Sequence, residues 1–328
     1  MSSVKEVAKR AGVSSATVSR VLNKDPAVKP ETRNKVLQII RELNYKPNLM
    51  AKNLRKQSSK TIVMVLPTMA NPFFAGIARG AQAAISQSGY NVIIGTTEFD
   101  KLQLSTYVNL LNTNLADGLI LVSSNMPKEA LRQLAKQHPV VLCNEYYDDL
   151  DIQSVSINNR QAGYDATCEL LGRGYRSIGY ITGTRESSSL LGRMSGYREA
   201  LQEAGIAFNA NLVAKAKSNY EQVIEVVNSI ADKEKSIEGI IANSDMLASY
   251  ILKGIKEGEI RLPGHVGLIS FDGTFLSEVM NPALSTVAQP MYDLGFSSVG
   301  LLLQKLRNKP ETADKRLFLP HRLIVRET

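Results

Sequence analysis

From residue 61 onward the chain alternates between two textures, and that alternation restricts the fold more than any other feature. TIVMVLP, YNVIIGTT, DGLILVSS and PVVLCNE are continuous apolar runs of strand length. Between them lie stretches of helical period such as FFAGIARGAQAAISQSG, in which Phe74, Ile77, Ala81 and Ile85 share a face. Strands apolar on both sides are the mark of parallel sheet covered by helices. A second set, SVSINN, SIGYITG, NLVAKA, GIIANSD and VGLISFD, follows the first, again with helices between. The expected core is α/β, two doubly wound parallel-sheet subdomains in succession.

The first 60 residues are different. They hold 14 Lys or Arg against four Asp or Glu, a net charge of +10, so the remaining 268 residues carry −2 of the total +8. A basic segment on a near-neutral body suits a polyanion-binding module. Val4, Val7, Ala8 and Ala11 fall on one helical face, which Gly12 ends. Ser14 is placed to cap a second helix that turns Val18, Val21 and Leu22 inward and Ser15, Ala16, Ser19 and Arg20 outward. Ala8, Gly12 and Val18 have the spacing of a helix-turn-helix, with a small residue at the helix contact and glycine at the turn. A third helix, PETRNKVLQIIRELNY, should bury Val36, Ile39, Ile40 and Leu43. Short hydroxyl side chains (Ser14, Ser15, Thr17, Ser19) let a recognition helix enter the major groove closely, Asn23 closes it, and Arg20 has the fork to bond guanine O6 and N7.

VKEVAKRAGVSSATVSRVLN, ETRNKV and ELNYKPNLMAKNLR together make residues 1–56 resemble the DNA-binding headpiece of the LacI/GalR family of bacterial transcription regulators. The two α/β halves resemble that family's periplasmic-binding-protein-like core, so the likeness covers essentially the whole chain and points to the ribose, cytidine and purine repressor-like branch. The resemblance implies that Ser15, Ala16 and Arg20 face the bases. It also implies that YKPNLMAKNL is a hinge, helical on the operator, bringing Asn48, Ala51, Leu54 and Arg55 to the DNA. A ten-residue helix with no body to pack on is unstable alone. Pairing with its copy in a homodimer, with Leu54 wedged into the minor groove, would supply the missing contacts. The division expected is a headpiece over 1–45, a hinge and linker over 46–60, and an effector-binding and dimerisation core over 61–328. The resemblance implies three chain crossings, near 158, 290 and 319, that would split that core into an N-subdomain of 61–158 and 290–318 and a C-subdomain of 159–289 and 319–328, with a small-molecule cleft at the carboxyl ends of strands from both halves.

Strand 1 ends in LPTMANPFF, which puts Phe73 and Phe74 at the cleft mouth, one of them as a flat surface for a sugar or base to stack on. The resemblance assigns Arg193 to ligand hydroxyls and Asp272 to a bidentate contact with vicinal hydroxyls. Ser244 and Asp245 begin a helix after a strand, Asp245 being either an N-cap or a ligand contact. Where relatives place aspartates, this chain has Asn144 and Asn158, with Glu145 as a possible substitute acceptor. Ser187 and Ser189 stand where the purine-binding branch has an arginine and a threonine, which disfavours guanine and hypoxanthine. With Ser189 and Asn144 among the lining residues, the expected effector is a sugar or nucleoside.

Other classes fit less well. No nucleophile elbow, GxGxxG or Walker loop, histidine-centred triad or paired-carboxylate site is legible, which argues against an enzyme, and no cofactor is expected. His138, His265 and His321 are scattered, and Cys143 and Cys168 form neither ligand spacing nor a disulfide framework. MSSVKEVAKR lacks the apolar stretch of an export signal, and no apolar run is long enough to span a membrane, so a cytoplasmic location is expected and a transport-type binding protein is not. The partners expected are palindromic double-stranded operator DNA, a small-molecule effector, and a second copy of the chain. A dimer is favoured over a tetramer because no leucine heptad follows RLIVRET.

Overall fold

The computed structural model describes residues 3–23, 25–45, 58–86, 88–98, 100–124, 126–185, 187–262, 264–307 and 314–328. The chain divides into two compact units, residues 1–59 and 60–328.

Among the described residues the first unit holds three helices, α1 (Val4–Ala11), α2 (Ser15–Leu22) and α3 (Pro30–Glu42). Ser3 and Ser14 cap α1 and α2 by accepting bonds from Glu6 and Thr17 backbone N–H groups. Gly12 ends α1 at φ +68°, a left-handed position that glycine takes without strain, and this lets α2 begin three residues later. Pro30 opens α3, where its missing N–H costs nothing. Val7, Ala8, Ala11, Val18, Val21, Val28, Val36 and Ile39 form the buried core, with Leu22, Ile40 and Leu43 partly covered against it.

The second unit has two six-stranded sheets. The first is ordered β11-β5-β4-β3-β1-β2, from β1 (Thr61–Leu66), β2 (Asn91–Thr96), β3 (Gly118–Val122), β4 (Val140–Cys143), β5 (Ser154–Ile157) and β11 (Arg316–Leu319). The second is ordered β12-β10-β9-β8-β6-β7, from β6 (Ile178–Gly183), β7 (Val213–Ala216), β8 (Gly239–Ala242), β9 (Gly267–Asp272), β10 (Ser285–Ala288) and β12 (Arg322–Ile324). All pairings are parallel except β10 with β12. The first lobe carries helices α4 (Pro72–Ile85), α5 (Lys101–Asn112), α6 (Lys128–Gln137) and α12 (Met291–Leu306). The second carries α7 (Asn159–Gly172), α8 (Ser188–Glu203), α9 (Tyr220–Lys233), α10 (Asp245–Lys256) and the short α11 (Leu276–Val279).

The chain passes between sheets three times, after Ile157, after Ala288 and after Leu319. In each lobe the strand order reverses beside the first strand, β1 or β6, and the carboxyl ends of the neighbouring strands open a crevice there. The inner strands β1, β3, β8 and β9 are buried along nearly their whole length, as the apolar runs require. YNVIIGTT departs from that reading. It forms the edge strand β2, with Ile93 at 43% and Ile94 at 37% exposure, because one of its sides has no neighbouring strand. NLVAKA likewise supplies an edge, β7. Both cysteines are free thiols, and no helix among the described residues is long and apolar enough to cross a membrane.

Candidate functional site

Three residues other than glycine take left-handed backbone angles where strands end at the crevice: Ser123 (φ +46°) after β3, Asn144 (φ +57°) after β4 and Asp272 (φ +110°) at the end of β9. Such strain clusters at functional sites, where it aims side chains that an extended backbone would turn away. Asn144 donates through Nδ2 to Ser123 Oγ at 3.0 Å, while its Oδ1 is buried without a partner. Glu145 lies beside it, its Oε1 accepting from Ser124 N–H (3.0 Å) and Oγ (2.8 Å). Asn158 is the N-cap of α7, accepting from the Gln161 N–H, so its amide holds a helix end.

In the second lobe Arg193 is only 3% exposed although it carries a full charge. Its position depends on the crossing of α7 and α8. A Cβ at Gly163 would lie 2.1 Å from the Arg193 carbonyl oxygen, so glycine there permits the backbones to touch. Arg193 Nε donates to Asn159 Oδ1 (2.9 Å), and one terminal nitrogen donates to the backbone O and the Oδ1 of Asn243 (3.1 Å each). The guanidinium lies 4.2 Å from the centroid of the Phe271 ring. Burial lowers its proton affinity, and the nearby Asp272 charge opposes that.

Asp272 is 4% exposed, and its Oδ1 accepts from Gln289 Nε2 at 3.0 Å. The Asn71 side chain, from the first lobe, favours the charged form of the carboxyl. Desolvation, then the Asp245 charge, push this carboxyl well above the usual range; Arg193, Asn71 and Gln289 pull the other way. Gln289 lies between β10 and α12, and its Oε1 is buried without a partner. The lobes also meet where the Tyr146 N–H donates to Ser188 Oγ at 3.0 Å. Asp272 is thus hydrogen-bonded to a crossing segment and feels groups from both lobes, Asn71 from the first and Arg193 and Asp245 from the second.

The remaining candidates separate. Phe73 is in the first-lobe core, 5.3 Å between centroids from Phe74 at an interplanar angle of 71°. Only Phe74 keeps appreciable exposed surface. The cap of α10 is Ser244, which accepts from the Leu247 N–H at 3.2 Å; Asp245 is the first helical residue, which corrects its reading as an N-cap. Ser187 caps α8, and Ser189 is buried with its hydroxyl 2.9 Å from that of Ser187. Asn71, Asn159, Asn243 and Gln289 were not among the sequence candidates. Asn71 was hidden in plain sight, since Asn-Pro before an apolar run signals a helix start, and it does cap α4. A groove of about 850 Å³ on the first lobe, lined by Leu104, Asn109, Gln133 and Gln137 among others, contains none of the candidate effector residues.

In the headpiece, Ser15, Ala16, Arg20 and Asn23 are exposed and Ser19 half-buried. The hydroxyls of Ser14 and Thr17 lie 2.9 Å apart, so both are engaged in the cap. Asn48, Ala51, Leu54 and Arg55 lie outside the described residues.

A helix-turn-helix unit joined to a two-lobed α/β binding domain defines a ligand-responsive DNA-binding regulator. Residues 3–48 match bacterial regulatory proteins of the lacI family, and residues 59–327 match the periplasmic binding proteins and sugar binding domain of that family. The chain belongs to the LacI family. Among its relatives, Catabolite control protein A of Priestia megaterium is 33% identical over 98% of this chain and 98% of its own. The ribose operon repressor of Halalkalibacterium halodurans is 34% identical (100% and 97%), and the transcriptional repressor CytR of Escherichia coli 32% (98% and 95%). The transcriptional regulator CelR in its cellobiose complex superposes with a TM-score of 0.73 at 27% identity, covering 100% of this chain and 99% of that one. These relatives are transcriptional regulators and not enzymes.

Proposed function

We propose that the chain is a cytoplasmic repressor that binds a palindromic operator as a homodimer and releases or tightens that grip when a neutral sugar or nucleoside enters the crevice between its lobes. The observation that carries the ligand class is that a buried carboxylate, Asp272, and a buried guanidinium, Arg193, feel each other's charge while carboxamides take up their hydrogen bonds, Gln289 at Asp272 and Asn243 and Asn159 at Arg193. Such a site presents acceptors and donors side by side at little net charge. Vicinal hydroxyls, each donor and acceptor at once, match it, and a free anion would meet Asp272. Unpartnered acceptors at Asn144 Oδ1 and Gln289 Oε1 add demand for ligand donors, and Phe74 offers a ring to stack on.

The domain boundaries follow the same reading: headpiece 1–45, hinge 46–60, and lobes made of 61–158 with 290–318 and of 159–289 with 319–328. Ser15, Ala16 and Arg20 face the bases. Ser14, Thr17, Ser19 and Asn23 border the backbone, and the hinge adds Asn48, Ala51, Leu54 and Arg55. Ligand closes the lobes about the three crossings and shifts the dimer between states with different operator affinity. Thermal-shift screening of a panel of pentoses, hexoses, nucleosides and sugar phosphates tests the reading, because a bound ligand raises the melting temperature by mass action. A neutral sugar or nucleoside should raise it and the phosphate of the same sugar should raise it less. A panel in which only the phosphates stabilise would contradict the proposal.

A further inference from the structure

We propose that Asp245 is a positioning residue for the effector site: its buried carboxylate ties down the chain on both sides of Asp272 and so fixes the direction in which Asp272 faces the crevice. The proposal rests on the reading of Asp272 as an effector contact given above. Asp245 is 0% exposed, and each of its oxygens takes two bonds. Oδ1 accepts from Ser270 Oγ (2.5 Å) and Thr286 Oγ1 (2.8 Å). Oδ2 accepts from the Thr274 backbone N–H (2.6 Å) and Thr274 Oγ1 (2.8 Å). A carboxylate has about four lone-pair directions. All four are used within the protein, which leaves none for a ligand.

The partners are what give these bonds meaning. Ser270 precedes Asp272 on β9, Thr274 follows it in the turn, and Thr286 is on the adjacent strand β10. Thr286 Oγ1 also accepts from the Gly273 N–H at 3.2 Å, so a relay runs from Gly273 through Thr286 to Asp245. Asp272, at φ +110°, is thus held between anchored neighbours on either side. A strained residue keeps such an angle only when its surroundings over-determine it. Asp245 can remain buried because it lies in the first turn of α10, where the helix N-terminus favours a negative charge.

The same carboxylate acts on Asp272 through its charge. The groups that face Asp272 are Arg193 from α8, Asn71 at the start of α4, Gln289 from the crossing and Asp245 from α10, with Tyr180 of β6 beside Arg193. Of these only Asp245 is a like charge, and it raises the proton affinity of Asp272.

Two measurements on the ligand-free full chain test the proposal, using the parent, Asp245→Asn and Thr286→Val. Hydrogen exchange over residues 271–276 should quicken about tenfold in Thr286→Val, which cuts the relay from Gly273 while keeping the Asp245 charge. Carbon-13 titration of the Asp272 carboxyl, assigned by its loss in Asp272→Asn, should move to lower pH in Asp245→Asn. A role in stability alone would lower the melting temperature without moving that titration. Unchanged exchange at Gly273 and Thr274 in Thr286→Val would overturn the proposal, as would a folded Asp245→Asn in which Asp272 titrates where it does in the parent. If Asp245→Asn does not fold, the exchange result in Thr286→Val decides. Neither measurement uses an effector, so a sugar panel without a binder would count against the ligand reading and leave this one standing.

Discussion

Asp272 illustrates how binding and stability oppose each other within one residue. Burial and Asp245 raise its proton affinity in the folded chain above that of an unfolded aspartate, ~3.9. A carboxyl shifted in that direction favours folding fully below the unfolded value, and this contribution is lost as pH rises through the folded one. At neutral pH the ligand-free protein therefore bears a cost at Asp272. Asp272→Asn, which removes the charge and keeps the shape, should melt above the parent at pH 7 and approach it near pH 4, while losing the effector response. Melting curves from pH 4 to 8 check this, and a variant that melts below the parent at pH 7 would contradict the assignment. Arg20 poses the residue-scale question for DNA. It is exposed on α2 and can fork onto one guanine per half-site, so Arg20→Ala should cost about 1–3 kcal/mol per half-site and relax the preference at that base pair. Gel-shift titrations against single-base operator variants read both effects.

At the scale of elements, the helix crossing of α7 and α8 sets where Arg193 stands. In Gly163→Ala two effects compete. Alanine is the better helix former by about 1 kcal/mol, but its Cβ would lie 2.1 Å from the Arg193 carbonyl oxygen, and overpacking of this kind costs about 1–3 kcal/mol. The collision is with backbone, which cannot rotate away, so the variant should be less stable and bind effector more weakly. Denaturant unfolding and the thermal-shift response measure the two. A Gly163→Ala chain with parental stability would show that the helices separate more freely than this packing implies. The elements themselves were largely legible from the sequence. Continuous apolar runs became the inner strands, and Ser14, Gly12 and Pro30 marked helix ends through local chemistry that needs no tertiary context. What was not legible depended on neighbours distant in the chain. YNVIIGTT is as apolar as an inner strand, and only the strand order places it at an edge. Asn158 and Ser244 cap helices through the backbone bonds they accept, which only the folded helix ends reveal. Asn243 and Gln289 have no local pattern that sets them apart, and the Asn-Pro at Asn71 signals only a helix start; separate segments bring these amides near Arg193 and Asp272.

For the whole molecule, the division at Ser59 and the +10 charge of the first 60 residues assign DNA affinity to one unit and effector sensing to the other. A fragment of residues 61–328 should bind no operator, and operator binding by the full chain should weaken steeply with salt as phosphate contacts release counterions. Retention of operator binding by the fragment would contradict the division. Coupling between effector and operator is read by a fluorescence-anisotropy titration of a palindromic operator with the full chain at one fixed salt concentration. The titration is run with and without each sugar or nucleoside that stabilises the protein, on the parent and on Asp272→Ala. Operator affinity of the parent should change by about fivefold or more, in either direction, as a coupling of about 1–3 kcal/mol gives, and that of Asp272→Ala should not change. An operator affinity in the parent that ignores a ligand shown to bind, or an Asp272→Ala chain that responds as the parent does, would contradict this coupling.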